Sequence, residues 1–123
     1  MGIEDIRAVR AVMEDYVRGA YDADIGLLRS CFHPSAVMNG YLLGHAVLAT
    51  PEVFFQDVAG KPAMSKTGAP FRCEITHIDV AGDIASVTLK ESGFFGELRF
   101  TDFFHLVKVD GAWKIFSKAF TTE

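Results

Sequence analysis

Asp102 and Tyr16 are the side chains in this sequence whose surroundings most demand a chemical explanation. Asp102 lies in a run from Leu98 to Val109 whose period-two alternation puts Leu98, Phe100, Phe104 and Leu106 on its own face. From Leu98 to Leu106 that face carries no Lys or Arg. An unpaired carboxylate taken out of water is costly, so Asp102 needs either a partner or a proton. The plainer alternative is a carboxylate that caps a backbone donor or pairs with Arg99. Tyr16 belongs to the apolar stripe Ile6, Val9, Met13, Tyr16, Val17 and Ala20, so its hydroxyl points inward and wants a partner. Taken alone, it is a core tyrosine. Two such donors on one cavity would stabilise negative charge developing on a ligand oxygen.

The other chemistry-bearing residues do not assemble into a known pattern. His33, His45, His77 and His105 show no metal-ligand spacing, and no metal site is expected. His33 reads as a helix cap, and His105 as facing an interface. Cys31 and Cys73 lack CxxC spacing and read as small apolar core residues. No phosphate loop, nucleophile elbow or Walker pattern occurs. The sequence calls for no cofactor.

The elements that must position Tyr16 and Asp102 can be read from periodicity. Steps of three and four from Ile6 to Ala20 predict one amphipathic helix. A second follows, with Asp22 or Asp24 as N-cap and Leu27, Leu28, Cys31 and Phe32 buried, and His33-Pro34 ends it. Ala36–Leu42 reads as a short strand. Thr50-Pro51-Glu52 opens a third helix, with Val53, Phe54 and Val58 on its apolar side and Gly60 at its end. The segment 61–70, with two Pro and one Gly, reads as a loop. Four strands follow, Phe71–Val80, Ile84–Glu91, Glu97–Val109 and Ala112–Phe120, divided by Gly82-Asp83, Gly93 with Gly96, and Asp110-Gly111. Connections this short make antiparallel neighbours. The expected fold is a single α+β domain over residues 1–123, of order ααβαββββ. Its helices pack into a curved antiparallel sheet around an apolar pocket. Asn39, Phe54, Trp113 and Ser117 are further candidates to line that pocket.

Composition excludes several functions. The 123 residues include eleven Phe, half are hydrophobic, and the mean hydropathy is +0.20. A disordered chain cannot have these values. Twelve basic against sixteen acidic residues leave a net charge of −4, with no Lys/Arg cluster to bind nucleic acid or an anionic membrane. No apolar run approaches the roughly 20 residues that span a bilayer, and no leader is visible, so a cytoplasmic location is expected. In the third long strand both faces are apolar, with Phe103, Val107 and Val109 opposite the Asp102 face. The helices can cover one face, so a homodimer through the other is expected.

With these residues in view, the chain resembles the nuclear transport factor 2-like (NTF2-like) superfamily, also called SnoaL-like or ketosteroid-isomerase-like. The resemblance is carried by Tyr16-Val17, by Cys31-Phe32-His33-Pro34-Ser35-Ala36, by Thr101-Asp102-Phe103-Phe104, and by Val109-Asp110-Gly111-Ala112-Trp113-Lys114-Ile115. Within it, the chain looks most like the lumazine-binding branch. The resemblance implies a cone-shaped, cystatin-like fold, a dimer, and a pocket between sheet and helices. It also places Tyr16 and Asp102 on the two oxyanion donors of ketosteroid isomerase, an enzyme known for keeping a carboxylic acid neutral in an apolar site. The proton-abstracting base of that enzyme aligns with Gly40, beside Asn39, and glycine cannot take a proton.

Three functions follow from this reading. The first is binding of a small apolar or heterocyclic molecule by a pocket that offers Tyr16 and Asp102. The second is a lyase, isomerase, dehydratase or cyclase that stabilises an enolate there. The third is a non-catalytic dimerisation domain. The missing base favours the first over the second. The Tyr–Asp pair argues against the third.

Overall fold

The structure is a computed structural model and describes residues 2–123. Helices α1 (Ile3–Asp22) and α2 (Ile25–Ser30) lead into strands β1 (Phe32–Leu42) and β2 (His45–Ala49). Helices α3 (Pro51–Ala59) and α4 (Met64–Thr67) come next. Strands β3 (Arg72–Ala81), β4 (Ile84–Phe94), β5 (Leu98–Val109) and β6 (Ala112–Thr122) complete the chain. The α+β architecture is the one read from the sequence, with two short elements added. Strand β2 pairs antiparallel with β1, and α4 forms within the segment read as a loop.

All six strands form one sheet in the order β2-β1-β6-β5-β4-β3. Four neighbouring pairs are antiparallel, and β1 runs parallel to β6. A tight turn dictates strand direction only for partners it joins, and β1 and β6 lie at opposite ends of the chain. Irregularities in β1–β6, β3–β4, β4–β5 and β5–β6 interrupt the ladders, and such features bend a sheet around its contents.

α1 buries Val9, Met13, Tyr16 and Ala20, one side of a 3.6-residue period, against the sheet. At Gly19 a Cβ would stand 3.0 Å from Leu28, so the missing side chain lets α2 lie close to α1. Asp24, the second of the two expected caps, accepts the Leu27 N–H at 3.1 Å. α2 ends at Ser30, earlier than its apolar pattern suggests. Phe32 and His33 already belong to β1, where His33 bonds Ser35 rather than capping a helix. One core joins α1, α2 and α3 to the inner sheet face through Leu28, Phe32, Phe55, Val58, Val87, Leu89, Phe104, Leu106 and Ile115.

Candidate functional site

Tyr16 is fixed by aromatic packing. Its ring stacks on Phe54 of α3 with centroids 5.9 Å apart and meets the edge of Phe104 of β5 at 5.0 Å. Its hydroxyl accepts a hydrogen bond of 2.7 Å from Lys118 Nζ. Lys118, on β6, is only 5 % exposed. Its ammonium lies 4.4 Å from the Phe54 ring centre and 5.4 Å from that of Phe120, which are attractive cation–π distances. No carboxylate of the described residues comes within ion-pair distance of it.

Tyr16, Phe54 and Lys118 stand on the wall of a cavity of about 270 Å³. Met38 and Leu42 of β1, Val47 of β2, and Phe94, Phe100 and Phe120 of the sheet make its apolar lining. Asp57 and Lys61 of α3 and its C-terminal end lie towards solvent and pair with each other at 2.8 Å. Glu91 of β4 supplies a buried carboxyl to the same cavity. A larger groove of about 450 Å³ runs between α1 and β3, but its charged residues, Arg10, Glu14 and Arg18, are exposed, which makes it a surface feature.

Asp102 is fully buried on the inner face, as its neighbours implied, yet it does not line the cavity. Tyr16 therefore meets Lys118 where the sequence suggested Asp102. Asp102 sits opposite Phe120 and Leu89 in the ladders. Glu91 and Lys118 are accordingly its diagonal neighbours on the same face. Neither Asp102 oxygen meets an N–H or hydroxyl donor among the described residues, so the proton of a neutral Glu91 is the one that can reach it. The Glu91 carboxyl is held well above its usual value of 4.5, first by burial, then by the charge of Asp102 and the hydrogen bond to it, with Lys118 opposing. Burial likewise pushes the Tyr16 phenol well above 10, so it stays protonated. Burial raises both thiols too, Cys31 to about 11 and Cys73 further, and neither is a ready nucleophile.

Three of the expected lining residues lie elsewhere. Asn39 faces outward, because Met38 takes the inward position, and its Oδ1 accepts the Ala49 N–H at 3.0 Å. Trp113 is buried but donates from Nε1 to Asp5 at 3.2 Å, away from the cavity. Ser117 pairs with exposed Val37 and His105 on the outer face. The cause is a bulge. Opposite β5, Leu106 pairs with Ile115 but His105 pairs with Ser117, so Phe116 is an extra residue. Inward positions are odd-numbered up to Ile115 and even-numbered from Lys118, so a strict period of two picks Ser117 and misses Lys118. Glu91 was legible, since it continues the inward series Ala85, Val87 and Leu89. A Cβ on Gly40 would fall 2.0 Å from the Phe120 carbonyl oxygen, so β6 leaves no room there for a basic side chain.

The arrangement is a ring-lined cavity whose polar end offers a phenol, an ammonium and a carboxyl that burial favours in its neutral form. Such an end accepts an oxygen or nitrogen acceptor on a flat ligand. Among the described residues, no group of three or more His, Cys, Asp or Glu comes together as a metal site.

The fold is shared with several solved structures. An NTF2-like protein of unknown function from Shewanella baltica OS155 is 26 % identical, superposes with a TM-score of 0.89, and is matched over 100 % of this chain and 97 % of its own. Another from Silicibacter pomeroyi DSS-3 is 24 % identical with a TM-score of 0.88, over 100 % and 99 %. A ketosteroid isomerase-like protein from Erwinia carotovora atroseptica SCRI1043 is 16 % identical with a TM-score of 0.71, over 98 % and 97 %, a likeness of fold alone. No curated protein matches. A family model described as "Putative lumazine-binding" matches residues 4–121. With nearly the whole chain matched, and with the same helices and sheet as NTF2-like structures, this protein belongs to that lumazine-binding family of the NTF2-like superfamily.

Proposed function

We propose that this protein binds a small, flat, largely apolar molecule whose carbonyl or ring acceptor is held by Tyr16 and Lys118. One observation carries this reading. The Lys118 ammonium is buried at the wall of an aromatic cavity, yet one of its three protons has a protein acceptor, the Tyr16 hydroxyl. A buried donor left unpaired costs about 1–3 kcal/mol, and more when charged, so a ligand acceptor is rewarded there. The phenol proton is free to point at the same atom. The cavity has room for about nine waters at roughly 30 Å³ each, which suits one ring or two fused rings. The family's name points to lumazine, a fused heterocycle with ring carbonyls, as the first compound to try.

Calorimetric titration with lumazine and with small aromatic ketones tests this. The wild type should bind one molecule per chain, and Lys118→Met should weaken binding about tenfold or more, the worth of one charge-assisted hydrogen bond. Equal affinity in the two proteins would remove Lys118 and the assigned polar end from the reading.

A second reading, proton transfer beside the bound carbonyl, is favoured by Glu91. Its carboxyl lines the cavity and is held well above its ordinary value by burial, which favours the protonated form that can act as an acid. Deuterium exchange at the α-carbon of a bound ketone, lost in Glu91→Gln, is the signature. The outer sheet face we assign to a second copy of the chain, on the grounds given in the Discussion.

A further inference from the structure

Lys118 is the one buried lysine among the described residues, and hydrogen bonding to a ligand is not all that an amine in this position can do. We propose that Lys118 is a covalent site, at which its amine condenses with a small aldehyde or ketone in the cavity to form a protonated imine. This rests on the reading that the cavity takes small carbonyl compounds.

Three features of the site support it. First, Lys118 lines the cavity and has no carboxylate within ion-pair distance among the described residues, so no salt bridge must break before its nitrogen meets a carbonyl carbon. Desolvated lysines of this kind are the usual amine nucleophiles. Second, proton carriers flank the nitrogen. The Tyr16 hydroxyl is 2.7 Å from it, and Glu91 opens on the same cavity. Third, the surroundings suit the product as well as the reactant. An ammonium and a protonated imine both carry one positive charge, so the rings of Phe54, Phe120, Tyr16 and Phe104 face a cation before and after the reaction.

The step balances without any further reagent. The ammonium passes one proton to the Tyr16 hydroxyl, 2.7 Å away, which hands its own to the carbonyl oxygen as the freed lone pair attacks the carbonyl carbon, giving a carbinolamine. Nitrogen then expels that oxygen, which takes up the second proton and departs as water. The C=N bond replaces the C=O bond, and two of the three ammonium protons leave in the water. The carboxyls and the phenol end as they began. Nothing is oxidised or reduced.

Benzaldehyde, a single ring that fits the cavity volume, is the probe, with borohydride to reduce the imine to a stable secondary amine. After brief treatment of the intact protein, peptide mapping compares Lys118 with Lys61, Lys66, Lys90, Lys108 and Lys114. The expected result is labelling at Lys118 at least about tenfold faster than at any of these exposed or half-buried lysines, as orientation in a site provides. Tyr16→Phe should slow it several-fold, and Lys118→Arg should abolish it while leaving background labelling unchanged. Labelling of Lys118 no faster than of the other lysines overturns the proposal, and mapping the wild type decides this even if a variant fails to fold. Benzyl alcohol, which has no carbonyl, is titrated in parallel. Binding of the alcohol without trapping of the aldehyde removes the covalent step and leaves the cavity as a binding site; absence of both removes the two readings together.

Discussion

Glu91, Asp102 and Lys118 are buried on one patch of sheet beside the cavity, and Asp102 and Lys118 act in opposite directions on the protonation of Glu91. Two carboxylates and one ammonium would leave a net negative charge in a dry site, and a proton retained on Glu91 cancels it. Because the folded protein holds that proton more tightly than the unfolded chain, Glu91 contributes its full stability below about pH 4.5. That contribution is lost as pH rises from there towards the raised folded value, by at most about 1.4 kcal/mol per pH unit. Glu91→Gln, which keeps the neutral shape and a donor for Asp102, should flatten this decline and equal or exceed the wild type at neutral pH. Asp102→Asn removes the second-largest cause of the shift, so the decline should level off at lower pH. Urea denaturation of the three proteins between pH 4.5 and 8 reads both effects. A wild type whose stability rises across that interval would show that Glu91 is ionised.

At the scale of elements, the site depends on how β6 passes β1. The bulge at Phe116 turns Lys118 inward, and the close approach of β6 to Gly40 shuts out a side chain on β1. Gly40→Ala should therefore cost about 1–3 kcal/mol, as overpacking does, and should disturb ligand binding by moving Phe120 and Lys118. Chemical denaturation checks the first effect and titration the second. A neutral Gly40→Ala would mean that β1 and β6 separate easily. β2, though short, closes the cavity with Val47, and α3 brings Phe54 over both Tyr16 and Lys118.

At the scale of the molecule, the sheet has an outer face that the helices do not reach. Phe103 is 55 % exposed there, and Val37, Tyr41, Leu48, Ile84 and Val109 are exposed too. No helix among the described residues is long and apolar enough to cross a membrane, and with a net charge of −4 the chain is poorly suited to anionic lipid. A second copy of the same face is the occupant we assign. A stable pair should bury at least about 1,000 Å² in all. Light scattering should return twice the 13.5 kDa chain mass at micromolar concentration, and Phe103→Lys, which leaves the core untouched, should shift it towards the monomer. A wild-type monomer under those conditions refutes the pairing.

Local patterns in the sequence determined much of this. Periodicity placed α1 and its Tyr16, glycine-bearing turns divided β3 to β6, and the apolar neighbours of Asp102 implied its burial, because each of these depends on residues a few positions apart. The partner of Tyr16 was decided by tertiary structure. One extra residue at Phe116 reverses the facing of everything after it, so Lys118 lies inside and Ser117 outside, and no count along β6 alone reveals where pairing with β5 slips. The assembly of Glu91, Asp102 and Lys118 likewise needed the registers of β4, β5 and β6 together. Glu91 can be read as inward from its own strand, but not as the neighbour of a particular carboxylate and a particular ammonium. Pairing across strands is a long-range property, and the physics that sets it is the fit of whole faces, not the preference of any one segment.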